Sequence, residues 1–169
     1  MRLTQIPNVS PFQTATWIYN QGEKAVKNPK VFMLARSIVR EVRENDALSE
    51  ALSIEDFVRA RVRFTQDPRS VELVFGPEAM VNLIGRYGKW GEDCDSIVSL
   101  TYALLRSIGH QPRILIADFG RAGAIPWPEH IFVQDFIGGA WYTLDGAEKE
   151  KTPLMLADIK RFWTFGPAQ

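Results

Sequence analysis

Three polar residues set against apolar segments carry the chemistry this sequence offers: Cys94, His130 and Asp145. Cys94 is the single cysteine of the chain, lodged in Gly91-Glu92-Asp93-Cys94-Asp95-Ser96 ahead of the amphipathic run Ile97, Leu100, Thr101, Leu104, Leu105 and Ile108. A thiol in the first turn of a helix meets unpaired N–H groups and the positive end of the macrodipole, both of which favour thiolate. Downstream, His130 opens Ile131-Phe132-Val133, and Asp145 closes Trp141-Tyr142-Thr143-Leu144. A nucleophile, then a proton acceptor, then an acid that fixes the acceptor's tautomer is the order a cysteine acyl-transfer site needs.

Each of these residues has a plainer reading. Cysteine is among the most buried residue types and is commonly inert packing, although Asp93 and Asp95 argue for a partly exposed turn. His110, the other histidine, follows Gly109, which should end the Cys94 helix. A helix of roughly fifteen residues is about 22 Å long, which puts His110 at the wrong end to serve as base. Asp145-Gly146 also reads as a simple turn.

An oxyanion needs preorganised donors: the Cys94 backbone N–H is the natural first, with the Trp90 indole, Gln66 or a loop amide as second. Trp127 lies in a Gly- and Pro-containing loop from Ala117 to Glu129 that should overhang the site, as a substrate wall or a packed anchor. One cysteine and two histidines are too few for a structural zinc site. Asp93 and Asp95 read as helix N-terminal acids, and no glycine-rich phosphate loop accompanies them, so neither a metal nor a cofactor is expected.

The elements that must position these residues follow from periodicity and caps. Residues 1–29 hold three prolines and a strand-like Thr14-Ala15-Thr16-Trp17-Ile18-Tyr19, which predicts an N-terminal arm or edge strand. Asn28-Pro29 supplies an N-cap and a first helical proline for Val31, Leu34, Ala35, Ile38 and Val42. Arg36, Arg40, Arg43 and Glu44 lie opposite, as a solvated face. A second helix is expected from Ser53, whose spacing to Asp56 resembles a capping box, and it should stop at Asp67-Pro68. Pro77 begins a short helix ending near Gly85 or Gly88.

From Pro112 the period changes. Arg113–Ala117 and Ile131–Phe136 read as buried strands, and Gly138-Gly139 joins the second to Trp141–Leu144 as a hairpin. Helices first and antiparallel strands second make the class α+β, a helix layer packed on an antiparallel sheet.

The 169 residues suit one domain, and 46% hydrophobic residues supply a core. Twenty basic and twenty acidic residues cancel, so nucleic acid and anionic membrane surfaces are not expected partners. With no apolar leader and no long apolar run, the expectation is a soluble protein without a secretory signal.

Residues from about Ile54 to Ala147 resemble the core of the transglutaminase-like cysteine peptidases, within the wider papain-like group, in their small bacterial or phage form. The stretches that carry the resemblance are Val62-Arg63-Phe64-Thr65-Gln66-Asp67, Gly91-Glu92-Asp93-Cys94-Asp95, Leu104-Leu105-Arg106-Ser107-Ile108-Gly109, His130-Ile131-Phe132-Val133 and Trp141-Tyr142-Thr143-Leu144-Asp145. The chain departs from the pattern in the additional Glu92, in Ser96 where a second acid is often found, and in Phe64 where tyrosine is common. The resemblance implies Cys94 as nucleophile, His130 as base and Asp145 as the residue orienting the histidine.

It further implies a core over residues 30–149 with a C-terminal extension over 150–169 that packs on the core or on a partner. The expected activity is hydrolysis of an amide through a thioester, in preference to cross-linking. A peptide, a protein tail or a peptidoglycan stem peptide would be the substrate, in the cytoplasm or in a virion. The alternative is a catalytically idle fold of the same kind, acting as a structural or interaction module, for instance in a phage virion or tail. Its terminal segments, including Phe162-Trp163-Thr164-Phe165, would then meet an assembly partner.

Overall fold

The computed structural model of the protein describes residues 4–5, 10–65, 73–120, 128–147 and 158–166. At its centre is α5 (Cys94–Ser107), capped by Asp93, whose side chain accepts from the Ser96 N–H. Every residue of α5 from Asp95 to Leu105 is buried. Such a helix must be covered on all sides. Around it pack α1 (Pro11–Ala25), α2 (Pro29–Ile38), α3 (Ala47–Arg61), α4 (Pro77–Tyr87) and one face of a sheet. Of its buried hydroxyls, Thr101 donates to the Ile97 carbonyl at 2.9 Å and Tyr102 donates to Glu23 of α1 at 2.7 Å, while Ser99 Oγ has no partner among the described residues.

The sheet is antiparallel, with strands β5 (Pro112–Asp118), β6 (His130–Ile137), β7 (Ala140–Leu144) and β8 (Arg161–Phe165) in the order β7-β6-β5-β8. Ile114, Ile116, Ile131, Val133 and Leu144 belong to the main core with α5, while Leu115, Ala117 and Phe132 form a second cluster with Phe119 and Ile159. Gly138 and Gly139 both have positive φ, 59° and 88°, as the tight β6–β7 turn requires. Two short ribbons complete the described structure. β2 (Val62–Phe64) runs parallel to β4 (Trp90–Glu92), and β1 (Thr4–Gln5) lies antiparallel to β3 (Leu73–Val74). The class is α+β, as the change of period predicts. Among the described residues no helix is long and apolar enough to cross a membrane.

Four readings differ from expectation, one being that α2 closes at Ile38, so Arg40, Val42, Arg43 and Glu44 lie beyond it. The strand expected over residues 14–19 is the middle of α1, and this part of the chain is core rather than an arm. Ser10 and Gln13 close a capping box around Pro11, and Ala15, Ile18, Gly22 and Ala25 recur at helical spacing and are buried. A Cβ at Gly22 would stand 2.5 Å from the Tyr102 ring, so α1 and α5 approach too closely there for any side chain. The second helix starts at Ala47 rather than Ser53, because Asp46 accepts from the Ser49 N–H at 3.0 Å and supplies the cap. It ends at Arg61, where Val62 turns extended to pair with Trp90, well before Asp67-Pro68. By contrast, the helix begun by Pro77 ends in a Gly88 at φ 76°.

Candidate active site

Cys94 is the first residue of α5 and is half-buried. Its place is fixed from two sides. Asp93 caps the helix, and β4 delivers the chain to that cap after Gly91, where a Cβ would stand 2.9 Å from Thr65 Oγ1. Glu92, the residue additional to the pattern, is buried and useful: its Oε1 accepts from the Trp90 indole at 2.8 Å, and its Oε2 accepts from Ser96 Oγ at 3.1 Å. Ser96 Oγ in turn accepts the Phe75 N–H at 2.9 Å. Ser96 therefore ties the start of α5 to the segment between β3 and α4.

His130 begins β6, and Asp145 follows the last residue of β7. The two side chains are joined, His130 Nε2 to Asp145 Oδ2, at 2.5 Å. Asp145 is buried and its other oxygen accepts the Ala147 N–H at 3.1 Å. The imidazole thus has Nε2 committed to a carboxylate and Nδ1 left for a reacting group, which is the tautomer a general base needs.

The backbone of Asp145 is held by a pair that its sequence context does not announce. Glu55 Oε1 accepts the Asp145 N–H at 2.8 Å, and Arg59 Nη2 donates both to the Asp145 carbonyl at 2.8 Å and to Glu55 Oε1 at 3.0 Å. Both come from α3, one turn apart. An i,i+4 acid–base pair in a sequence reads as a helix surface, so the signal for this clamp is absent until the fold brings α3 under the β7 turn.

The Asp145 charge is near enough to the thiol to act on it. Burial first, then Asp95, Asp93 and Asp145, push the Cys94 thiol well above its ordinary range. The expected thiolate preference of a helix N-terminus is therefore overturned: desolvation and three carboxylates outweigh it. The Cys94 sulfur is bonded to Asp95 Oδ1 at 3.8 Å, and no hydrogen bond joins it to His130.

Trp90 does not offer its indole to a substrate oxyanion, because that N–H is bound to Glu92; its ring stacks on Tyr87 at 5.5 Å. Gln66 and Trp127 lie outside the described residues. The Cys94 amide remains as a donor, since the first N–H groups of a helix have no intrahelical acceptor.

His110 sits beyond the far end of α5, as its place after Gly109 predicts. Its Nδ1 is bonded to Asp135 and its Nε2 to Glu50 at 3.1 Å. Among the described residues no group of three or more His, Cys, Asp or Glu side chains is arranged to hold a metal ion.

No protein-family model matches the chain, and no curated protein does. Solved structures do. A proposed cysteine protease from Cytophaga hutchinsonii superposes over 95% of this chain with a TM-score of 0.50 at 18% identity. A proposed protease from Parabacteroides distasonis superposes over 78% with a TM-score of 0.53 at 12% identity. The fold is shared with these proteins. This chain spans 53% of the first and 26% of the second, so about half and a quarter of their lengths.

Proposed function

We infer that the chain is a cysteine-dependent amide hydrolase of the transglutaminase-like, papain-like kind, in which Cys94 attacks, His130 moves the proton and Asp145 holds the imidazole. The observation that carries this reading is the His130 Nε2–Asp145 Oδ2 bond at 2.5 Å, in a chain whose single cysteine opens α5. The protease-like fold supports it.

The thiol rests neutral, so its proton leaves as attack begins. In the proposed reaction His130 Nδ1, the ring nitrogen not bound to Asp145, takes the thiol proton while sulfur bonds to the carbonyl carbon. The oxyanion is met by the Cys94 N–H. Collapse breaks the C–N bond, and His130 returns its proton to the departing amine. Water then gives a proton to His130 and its oxygen to the thioester carbon, releasing a carboxylate and restoring the thiol. A peptide, a protein tail or a peptidoglycan stem peptide supplies such an amide.

The experiment is cleavage of a peptide mixture read by mass spectrometry, with the acyl-enzyme trapped by hydroxylamine as a hydroxamate. Cleavage and trapping are expected for the native chain and lost in Cys94→Ala and His130→Ala. A second reading, the catalytically idle interaction module, rests on the sulfur's bond to Asp95 instead of His130. It is favoured if the native chain forms no hydroxamate with any peptide while Cys94 still alkylates.

A further inference from the structure

The four-stranded sheet has a second face, turned away from α5. Ile114, Val133 and Leu144 enter the main core, so Arg113, Gln134 and Thr143, which alternate with them along the strands, stand on the other side. They form one row across three strands, Arg113 opposite Gln134 and Gln134 opposite Thr143. Two residues further along β6, on the same side, Phe136 stands opposite Trp141. Side-chain contacts join the group. Arg113 Nε and Nη2 donate to Gln134 Oε1 at 3.1 and 2.7 Å, and Gln134 Nε2 donates to Thr143 Oγ1 at 3.1 Å. The Arg113 guanidinium lies over the Trp141 ring at 3.7 Å, and the Phe136 and Trp141 rings meet at 5.1 Å.

Arg113 is held on two sides and open on a third. Gln134 fills its Nε–Nη2 edge and Trp141 lies against the guanidinium face, while the distal Nη1–Nη2 edge makes no hydrogen bond among the described residues. No carboxylate among them lies within ion-pair distance of it. Its stem is uncrowded from the β8 side, because the neighbour there is Gly166, where a Cβ would stand 2.9 Å from the Arg113 Cβ. Partial burial without an anion penalises the charge and lowers the Arg113 pKa. A planar donor fork fixed by a relay across three strands, with its charge unanswered, is preorganised for a planar anion.

We propose that this face of the sheet is a binding site for the C-terminal carboxylate of a peptide that ends in an apolar residue. The carboxylate takes two parallel N–H bonds from the distal edge of Arg113. A single guanidinium balances the one charge of a carboxylate and not the nearly two of a phosphate monoester. A C-terminal residue carries its side chain on the same Cα as its carboxylate, so an apolar one settles on the partly exposed Phe136 and Trp141. An Asp or Glu side chain brings a carboxylate with no apolar body beside it. The site is separate from the candidate active site, since Gln134 lies four residues along β6 from His130, about 13 Å. It stands whether or not Cys94 is a nucleophile.

The test uses full-length Cys94→Ala, so that binding is read without turnover. Acetyl-Gly-Gly-Phe is titrated in while the Trp141 indole N–H and Arg113 Nε–H resonances are followed by NMR. The amidated peptide, an amidated peptide with Glu in place of Phe, and inorganic phosphate are the comparisons. The free C-terminus is expected to shift both resonances and to bind roughly tenfold tighter than its amide, the factor that one charge-assisted bidentate pair supplies. Gln134→Glu in the same background answers the Arg113 charge from within the sheet; it should keep the fold and lose that preference. Arg113→Lys keeps the charge without the fork and should bind about fivefold more weakly. The assignment is overturned if the amide or the Glu peptide binds as tightly as the free C-terminus, if phosphate binds more tightly, or if the Trp141 resonance does not move. Undiminished binding in a folded Gln134→Glu or Arg113→Lys overturns it as well, leaving the Arg113–Trp141 stack a structural contact only.

Discussion

Replacing Glu55 by alanine tests the support of the site more sharply than replacing any of its reacting groups. In the native fold its carboxylate is buried, accepting the Asp145 N–H and pairing with Arg59. Glu55→Ala leaves that N–H without its acceptor, which costs about 1–3 kcal/mol. It also strips Arg59 of its buried anion. Arg59 keeps the Asp145 carbonyl and a looser contact of 3.6 Å to the half-exposed Asp56, so its loss stays well below the roughly 3–5 kcal/mol of a fully uncompensated buried charge. A total near 3 kcal/mol corresponds to a fall of about 6–12 °C in Tm for a chain of this size. Glu55→Gln retains an acceptor oxygen and should lose only about 1 kcal/mol. Turnover should separate from stability: an Asp145 displaced by about 1 Å misaligns His130 and costs on the order of a hundredfold in kcat, measured well below Tm. Melting curves and peptide cleavage on the same preparations decide it. A Glu55→Ala protein that melts with Glu55→Gln and cleaves at the native rate would refute the clamp.

Three further outcomes are expected. The rate of Cys94 alkylation by iodoacetamide should keep climbing into alkaline pH with no plateau near neutrality; Asp93→Asn, which keeps the cap and removes one charge, should shift the profile to lower pH. His110 should make stability fall with rising pH. Burial lowers its pKa, yet Asp135 and Glu50 raise it further, so its folded value exceeds the unfolded value of about 6.5. Its contribution is then complete below that value and lost as pH climbs through the folded one, and Tm against pH should flatten in His110→Gln. Gly22→Ala should lower Tm by more than the helix propensity of alanine restores, because the new methyl meets the Tyr102 ring.

Strands β5, β6 and β7, the start of α2, and α4 and α5 are legible from residues alone because their periods, caps and turn residues agree, whereas β8 and the end of α2 at Ile38 are not. Asn28-Pro29, Pro77 with Gly88, and Gly138-Gly139 all act as such residues do. α1 is not, because Thr14, Thr16, Trp17, Ile18 and Tyr19 have strand-type side chains, and only the groove beside Tyr102 makes their helical spacing decisive. The site divides similarly. His130 and Asp145 meet as their strand positions imply, whereas the charge state of Cys94 depends on how many carboxylates fold around it. Trp90 looks like an indole donor until Glu92 is found beneath it. The Glu55–Arg59 clamp joins residues from opposite ends of the chain's core, and local sequence holds no trace of such a link.

α5 is buried from its second residue to within two of its end, and this has a consequence for opening motions. Amides of such a helix exchange with solvent only when the whole domain unfolds, whereas an edge strand such as β8, paired on one side, opens on its own. The cysteine is therefore mounted on the slowest-exchanging element of the protein, and its histidine and aspartate on the sheet. A protease or a warm solvent that loosens the sheet will part the imidazole from the sulfur while the helix is still protected, so loss of activity should precede loss of helical circular dichroism.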